Sequence, residues 1–317
     1  MTRDSMTGRA APDQPASTFD GQAITPLWLL PADGGGVRLW GPAMDCRFEV
    51  GLRADVATAD LLEGEERRPL SGLVDPGLAA QVGECTEAAP VLLHLADSLP
   101  EAYHHLPWEW LRHRGEPLGR RLVAVRHCPE TAEPPDEPIF GPHLFASLFP
   151  PHELPPLDQA PNLPASIETR WAPEEARAHL EREDLAGLGV LYLYSHGSEA
   201  AGSPLRLPDG RTWALPGDRG WPSVVVLIAC GDANGELVRY ARERVAAGAD
   251  AVLVAQGRLE AAQALTFARD FSEWLLQGRS LGAALAAARA RAHGEHGARR
   301  MLLVGRPDMR VAAEGVE

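Results

Sequence analysis

The chain of 317 residues contains no lysine: its thirty basic residues are all arginine, against 44 acidic ones, for a formal net charge of −14. That absence excludes chemistry built on a primary ammonium, such as a Walker A phosphate loop, a Schiff base or a serine–lysine dyad. Dense basic runs are missing too, and an acidic chain without them is a poor nonspecific ligand for nucleic acid. Cysteine is scarce. Cys46, Cys85, Cys128 and Cys230 stand far apart with no CxxC spacing, so reduced thiols in a cytoplasmic protein are expected rather than a disulfide framework. No apolar run approaches the roughly 20 residues of a bilayer span, and no repeat recurs at the period of about 34 residues of tetratricopeptide arrays or at other solenoid periods. The first twenty residues, "MTRDSMTGRAAPDQPASTFD", lack the apolar centre of a secretory signal and read as a disordered lead-in. The arginine, alanine and glycine bias suits a GC-rich bacterial genome.

What is present falls into two parts. The Pro-rich stretches "CPETAEPPDEP" and "FPPHELPPLDQAPNLP" remove backbone donors and fix φ, so regular elements cannot run through them. We expect a lead-in over 1–20, an α/β region over 21–150 and a second domain over 151–317. In the first region "AITPLWLL", "CRFEVGLR", "VLLHLAD" and "RLVAVRHC" read as strands. "LPWEWLRHRG" reads as a helix opened by Pro107, with Trp108 and Trp110 packing between the halves. The "GGG" at 34–36 reads as a hairpin turn.

In the second part strand and helix alternate: "SIETRW", "APEEARAHLERE", "GVLYLYSH", a polar excursion with turns at "LPDGR" and "LPGDRG", "SVVVLIAC", "GELVRYARERVAA" and "DAVLVAQ". Two alanine-rich helices near 259–277 and 280–293, each expected to bury one amphipathic face, precede the strand "RMLLVG". Strands apolar on both faces that alternate with helices predict an α/β fold with a parallel sheet covered on both sides. Chemistry in such a sheet sits outside the carboxyl ends of its strands.

Two buried strands end in reactive side chains, His196 in "YSHG" and Cys230 in "IACG". With no helix expected between them, the two strands are candidates for sheet neighbours. A thiol becomes a competent nucleophile when an imidazolium or a helix N-terminus favours its thiolate, and a helix is expected to begin near Asn234. His196 could donate a proton to a leaving amine and then activate water. The backbone amides of Gly197 and Cys230 are the candidates for an oxyanion hole.

Taken in order and spacing, "LPWEWLRHRGEPLGRRLVAVR", "VLYLYSHGSEA", "LRLPDGRTWAL", "PSVVVLIACGDANGE", "ARERVAAGADAVLVA" and "FARDFSEWLLQGRSLGAALAAARAR" resemble the CHAT domain of the caspase, separase and gingipain clan of cysteine peptidases, over roughly residues 90 to 306. The resemblance implies a caspase-like, mostly parallel sheet flanked by helices, with the N-terminal region packed on it. It implies His196 as general base and acid, Cys230 as nucleophile, and peptide-bond hydrolysis through a thioester. Two features depart from the family: Gly231 follows the Ala-Cys pair where an acidic residue is usual, and "AQGRLEAAQ" replaces a tryptophan-centred segment.

Asp232, Glu199 and Glu260 are candidates for recognising a basic substrate side chain. His94, His104, His105, His113 and His127, with Cys85 and Cys128, show no zinc spacing, so neither a metal nor a cofactor is expected. The expected activity is cleavage of a dedicated protein partner in a bacterial antiviral or programmed-death pathway, with activation from a separate sensor protein, from oligomerisation or from the N-terminal region, and with no nucleic acid or membrane bound directly. The competing expectations are an inactive caspase-like scaffold and a Cys–His hydrolase of small molecules.

Overall fold

The apolar runs assemble into one eleven-stranded sheet. Its strands are β1 (Thr25–Pro31), β2 (Val37–Gly41), β3 (Met44–Phe48), β4 (Val91–Ala96), β5 (Leu122–Cys128), β6 (His143–Ser147), β7 (Ile167–Arg170), β8 (Val190–Tyr194), β9 (Val224–Ile228), β10 (Ala251–Ala255) and β11 (Met301–Gly305). The helices are α1 (Pro76–Ala88), α2 (Glu101–His105), α3 (Pro173–Arg182), α4 (Glu236–Ala246), α5 (Ala261–Leu276) and α6 (Leu281–Arg291). The computed structural model describes residues 18–19, 22–49, 51–52, 73–128, 139–150, 163–182, 184–198, 205–215, 220–229, 236–257, 259–292 and 300–312. The expected lead-in over 1–20 lies almost wholly outside them.

The strand order is β7-β6-β8-β9-β10-β11-β5-β4-β1-β2-β3. Every pairing is parallel except β10 with β11, β1 with β2 and β2 with β3. This is the mostly parallel α/β architecture expected from the alternation, with one difference: the last strand runs against its neighbour β10. The N-terminal strands continue the same sheet, because β5 pairs with β11 through Val125↔Leu303 and Arg126↔Val304.

Successive side chains of a strand point to opposite faces, and both faces here are covered. On one, Tyr192, Val226 and Leu253 pack with Phe267 and Phe271 of α5 and Leu285 of α6. On the other, Leu193, Leu227 and Val252 meet Ala176 and Leu180 of α3 and Leu237 and Ala241 of α4. A third cluster joins Leu27, Leu29, Leu93 and Leu95 to Leu78 and Val82 of α1 and to Trp108. At about 1.5–3 kcal/mol for each large apolar side chain removed from water, these layers supply the main drive for folding.

Several elements differ from the sequence reading. The expected helix at Pro107 is a single 3-10 turn, Trp108–Trp110, and the α-helix α2 lies just before it. Proline has no amide to extend α2, so the helix stops there. Helix α6 is not amphipathic: Leu281 to Arg289 are buried on all sides. Between β1 and β2, Gly34 and Gly35 adopt φ of 79° and 85° in the expected hairpin connection, a region that costs glycine nothing.

Trp108 packs inside the N-terminal cluster, its indole donating to the Tyr103 carbonyl at 2.8 Å. Trp110 does reach the second part, with the Arg300 guanidinium over its ring at 5.5 Å, and its neighbour Glu109 makes a buried contact across the same junction. Glu109 Oε2 pairs with Arg126 Nη2 at 3.0 Å and Glu109 Oε1 with Arg289 Nη2 of α6 at 3.2 Å, all three side chains being fully buried. Arg126 also donates to the carbonyls of His104, Leu106 and Ala124, and Arg289 to those of Leu122 and Met301. Burial alone would push the Glu109 carboxyl up, but Arg126 and Arg289 outweigh it and hold it below its ordinary value.

Candidate active site

Strands β8 and β9 are adjacent and parallel, in a register that sets Tyr194 opposite Ile228. Their carboxyl ends are tied together by the Ser195 amide, which donates to the Ile228 carbonyl at 3.1 Å. On the other side of β8, the Leu148 amide beyond β6 donates to the Tyr194 carbonyl at 2.7 Å. Three consecutive strand ends therefore form one rigid edge, the place where a parallel sheet presents chemistry.

From β8 the chain turns into a small antiparallel sheet of three two-residue strands, His196–Gly197, Leu205–Arg206 and Thr212–Trp213. It occupies the polar excursion of the sequence. Buried Leu205, Leu207 and Leu215 anchor it to the core, and Ser195 Oγ donates to the Arg206 carbonyl at 3.0 Å, closing its base. The expected turn at "LPDGR" is present: the Gly210 amide donates to the Leu207 carbonyl, with Gly210 at φ 82° and Asp209 bonded to the Arg211 amide and guanidinium.

His196 sits opposite Arg206 and is partly exposed. Its imidazole lies against Phe149, ring centroids 4.0 Å apart at 32°. Phe149 in turn stacks on Tyr194, at 4.5 Å and 9°. Gly197 sits opposite Leu205 in the same small sheet.

Strand β9 runs out through buried Ala229, the last described residue before Cys230, and α4 resumes the described chain at Glu236. Cys230, Asp232 and Glu199 lie outside the described residues. Glu260 is at the N-cap of α5, beyond the carboxyl end of β10, and its carbonyl accepts from the Ala264 amide. The sequence reading missed Phe149, whose only local signal, the apolar run "HLFASLF", is masked by the prolines that follow.

Part of the histidine set gathers instead at the carboxyl ends of β4 and β5, which run opposite to β8 and β9. His104 and His127 stack at 3.6 Å, His127 Nδ1 lies 2.7 Å from Asp97 Oδ1, and His105 Nε2 lies 3.2 Å from Glu101 Oε1. Arg242 of α4 reaches Asp97 and Glu101, and Gln256 beyond β10 donates to the His105 carbonyl. Burial, and then repulsion from His127, lowers His104 to about 3. Among the described residues no group of three or more His, Cys, Asp or Glu could hold a metal ion, and no helix is long and apolar enough to cross a membrane.

Residues 172–301 match the family model of the CHAT domain. No curated protein matches the chain.

Proposed function

We propose a cysteine endopeptidase that cuts a specific protein partner with a His196–Cys230 dyad, a reading supported by the match of residues 172–301 to the CHAT domain model. The observation that carries this reading is the register of β8 and β9. The two strands are parallel neighbours; His196 follows the end of one by two residues, and Cys230 follows the end of the other by the same interval.

The chemistry runs through a thioester. His196 takes the proton of the Cys230 thiol, and the thiolate attacks the carbonyl carbon of the scissile peptide. Backbone amides of Gly197 and Cys230 receive the oxyanion. As the tetrahedral adduct collapses, the C–N bond breaks and His196 returns the proton to the leaving amine. Water, deprotonated by His196, then hydrolyses the thioester and restores the thiol.

In this reading residues 151–317 form the catalytic domain, supported by 21–150, and Asp232, Glu199 and Glu260 are the acids that would receive a basic substrate side chain. A cytoplasmic bacterial defence or programmed-death pathway, with a separate sensor as activator, follows the family resemblance.

A thiol-reactive peptide probe tests the dyad. Burial raises the Cys85 thiol above its ordinary value, which suppresses its thiolate, so the expected labelling is selective for Cys230 and lost in His196→Ala. Equal labelling of all four cysteines would instead make the chain a caspase-like scaffold. Incubation of wild type and Cys230→Ala with proteins encoded beside the chain should yield a fragment made by the wild type alone.

A further inference from the structure

The geometry points to Phe149 as the positioning residue for the His196 imidazole, a role that rests on the peptidase reading of His196. Phe149 follows β6 in a segment whose prolines mark it as a linker. Its backbone is nonetheless fixed: the Leu148 amide is bonded to the Tyr194 carbonyl, and the Phe149 amide to Ser147 Oγ at 3.3 Å. The ring is 9% exposed and stacks on Tyr194, which is 2% exposed. Tyr194 meets Phe145 at 6.2 Å, and Phe145 meets Trp171 at 4.9 Å. A run of rings thus leads from the sheet core to the partly exposed imidazole.

This contact does two things for a general base. An imidazole held 4.0 Å from an immobile ring at 32° loses the side-chain rotations that would swing its nitrogens off the line to the thiol, and misplacement of about 1 Å costs up to ~100-fold in rate. The face of a phenyl ring also carries negative charge density, so it favours the imidazolium that His196 becomes when it accepts the thiol proton. Ordinary core packing would need neither a ring at this position nor contact with a residue at the open edge. The charged neighbour across the small sheet, Arg206, is unchanged in the variants below and cancels in their comparison.

Phe149→Met keeps the bulk and removes the π face; Phe149→Tyr keeps both. Two readouts apply to each, after thermal unfolding has matched the variant to wild type, with Phe149→Leu replacing Phe149→Met if the latter does not fold. The first is the NMR spectrum of the His196 ring in a Cys230→Ala background, where catalysis plays no part. The expected result is loss of the ring-current displacement of the imidazole signals in Phe149→Met and its retention in Phe149→Tyr. The second is the pH profile of Cys230 alkylation by iodoacetamide, with a plateau rate about tenfold lower in Phe149→Met and restored in Phe149→Tyr. If Phe149→Met reproduces the wild-type ring signals and alkylation profile, the positioning role is wrong. If wild-type Cys230 alkylates no faster than a free thiol, the peptidase reading fails, while the His196 ring signals still decide whether Phe149 holds the imidazole.

Discussion

Glu109→Gln isolates the charge at the junction of the two parts. The substitution keeps shape and volume, so no cavity term enters. In the wild type Glu109 Oε1 accepts from the Ala124 amide at 3.2 Å, from Arg126 Nη1 at 3.1 Å and from Arg289 Nη2 at 3.2 Å, while Oε2 accepts from Arg126 Nη2 at 3.0 Å. A carboxamide turns one oxygen into a donor facing a guanidinium and leaves two fully buried cations without a counter-charge. Removing one partner of a buried ion pair costs about 3–5 kcal/mol. At roughly 2–4 °C per kcal/mol for a chain of this order of size, Tm should fall by about 10 °C. Urea unfolding and thermal scans at pH 7 measure both. The Glu109 carboxyl is held below its ordinary value of 4.5, so its contribution is present above that value and is lost as pH falls through the lower folded one. Wild type and variant should therefore converge in acid. A loss under about 1 kcal/mol at pH 7, the range of a surface pair, would refute the reasoning.

Two further effects are expected. His143, 2% exposed, is lowered by burial to about 4. A folded value below the unfolded one means stability complete above about pH 6.5 and lost as pH falls toward 4, by about 2 kcal/mol at pH 5. In Tm measured from pH 5 to 7, His143→Phe should flatten the slope. Arg242→Ala removes its pairs with the half-exposed Asp97 and Glu101. Its cost should stay under about 1 kcal/mol in urea unfolding and shrink further in salt.

Much of the fold was legible because burial writes itself locally. "VLYLY", "VVVLI" and "AVLVA" are apolar on both faces and became adjacent parallel strands. What remained hidden depends on partners distant in the chain. Nothing near "MLLVG" tells that it runs against β10, since direction is set by which neighbours remain to be bonded. The prolines beside "HLFAS" concealed β6, and with it the ring under His196. Glu109 escaped notice because two tryptophans flank it and because its worth lies in Arg126 and Arg289, the latter far along the chain. His196 was visible as a residue just past a strand end; the ring packed against it was not.

The position of β11 bears on how the protein is made. It is the last of the eleven strands in chain order and the sixth in the sheet, where it alone links β10 to β5. During synthesis the earlier strands leave the ribosome as two sheets with facing raw edges, and pairing across such long sequence separation is slow. Newly made chains should pass through an interval in which both edges are open to chaperones or to one another. A frameshift or cut ahead of Met301 would divide the sheet through its middle rather than trim its rim, so quality control would meet two unfinished halves instead of one shortened sheet.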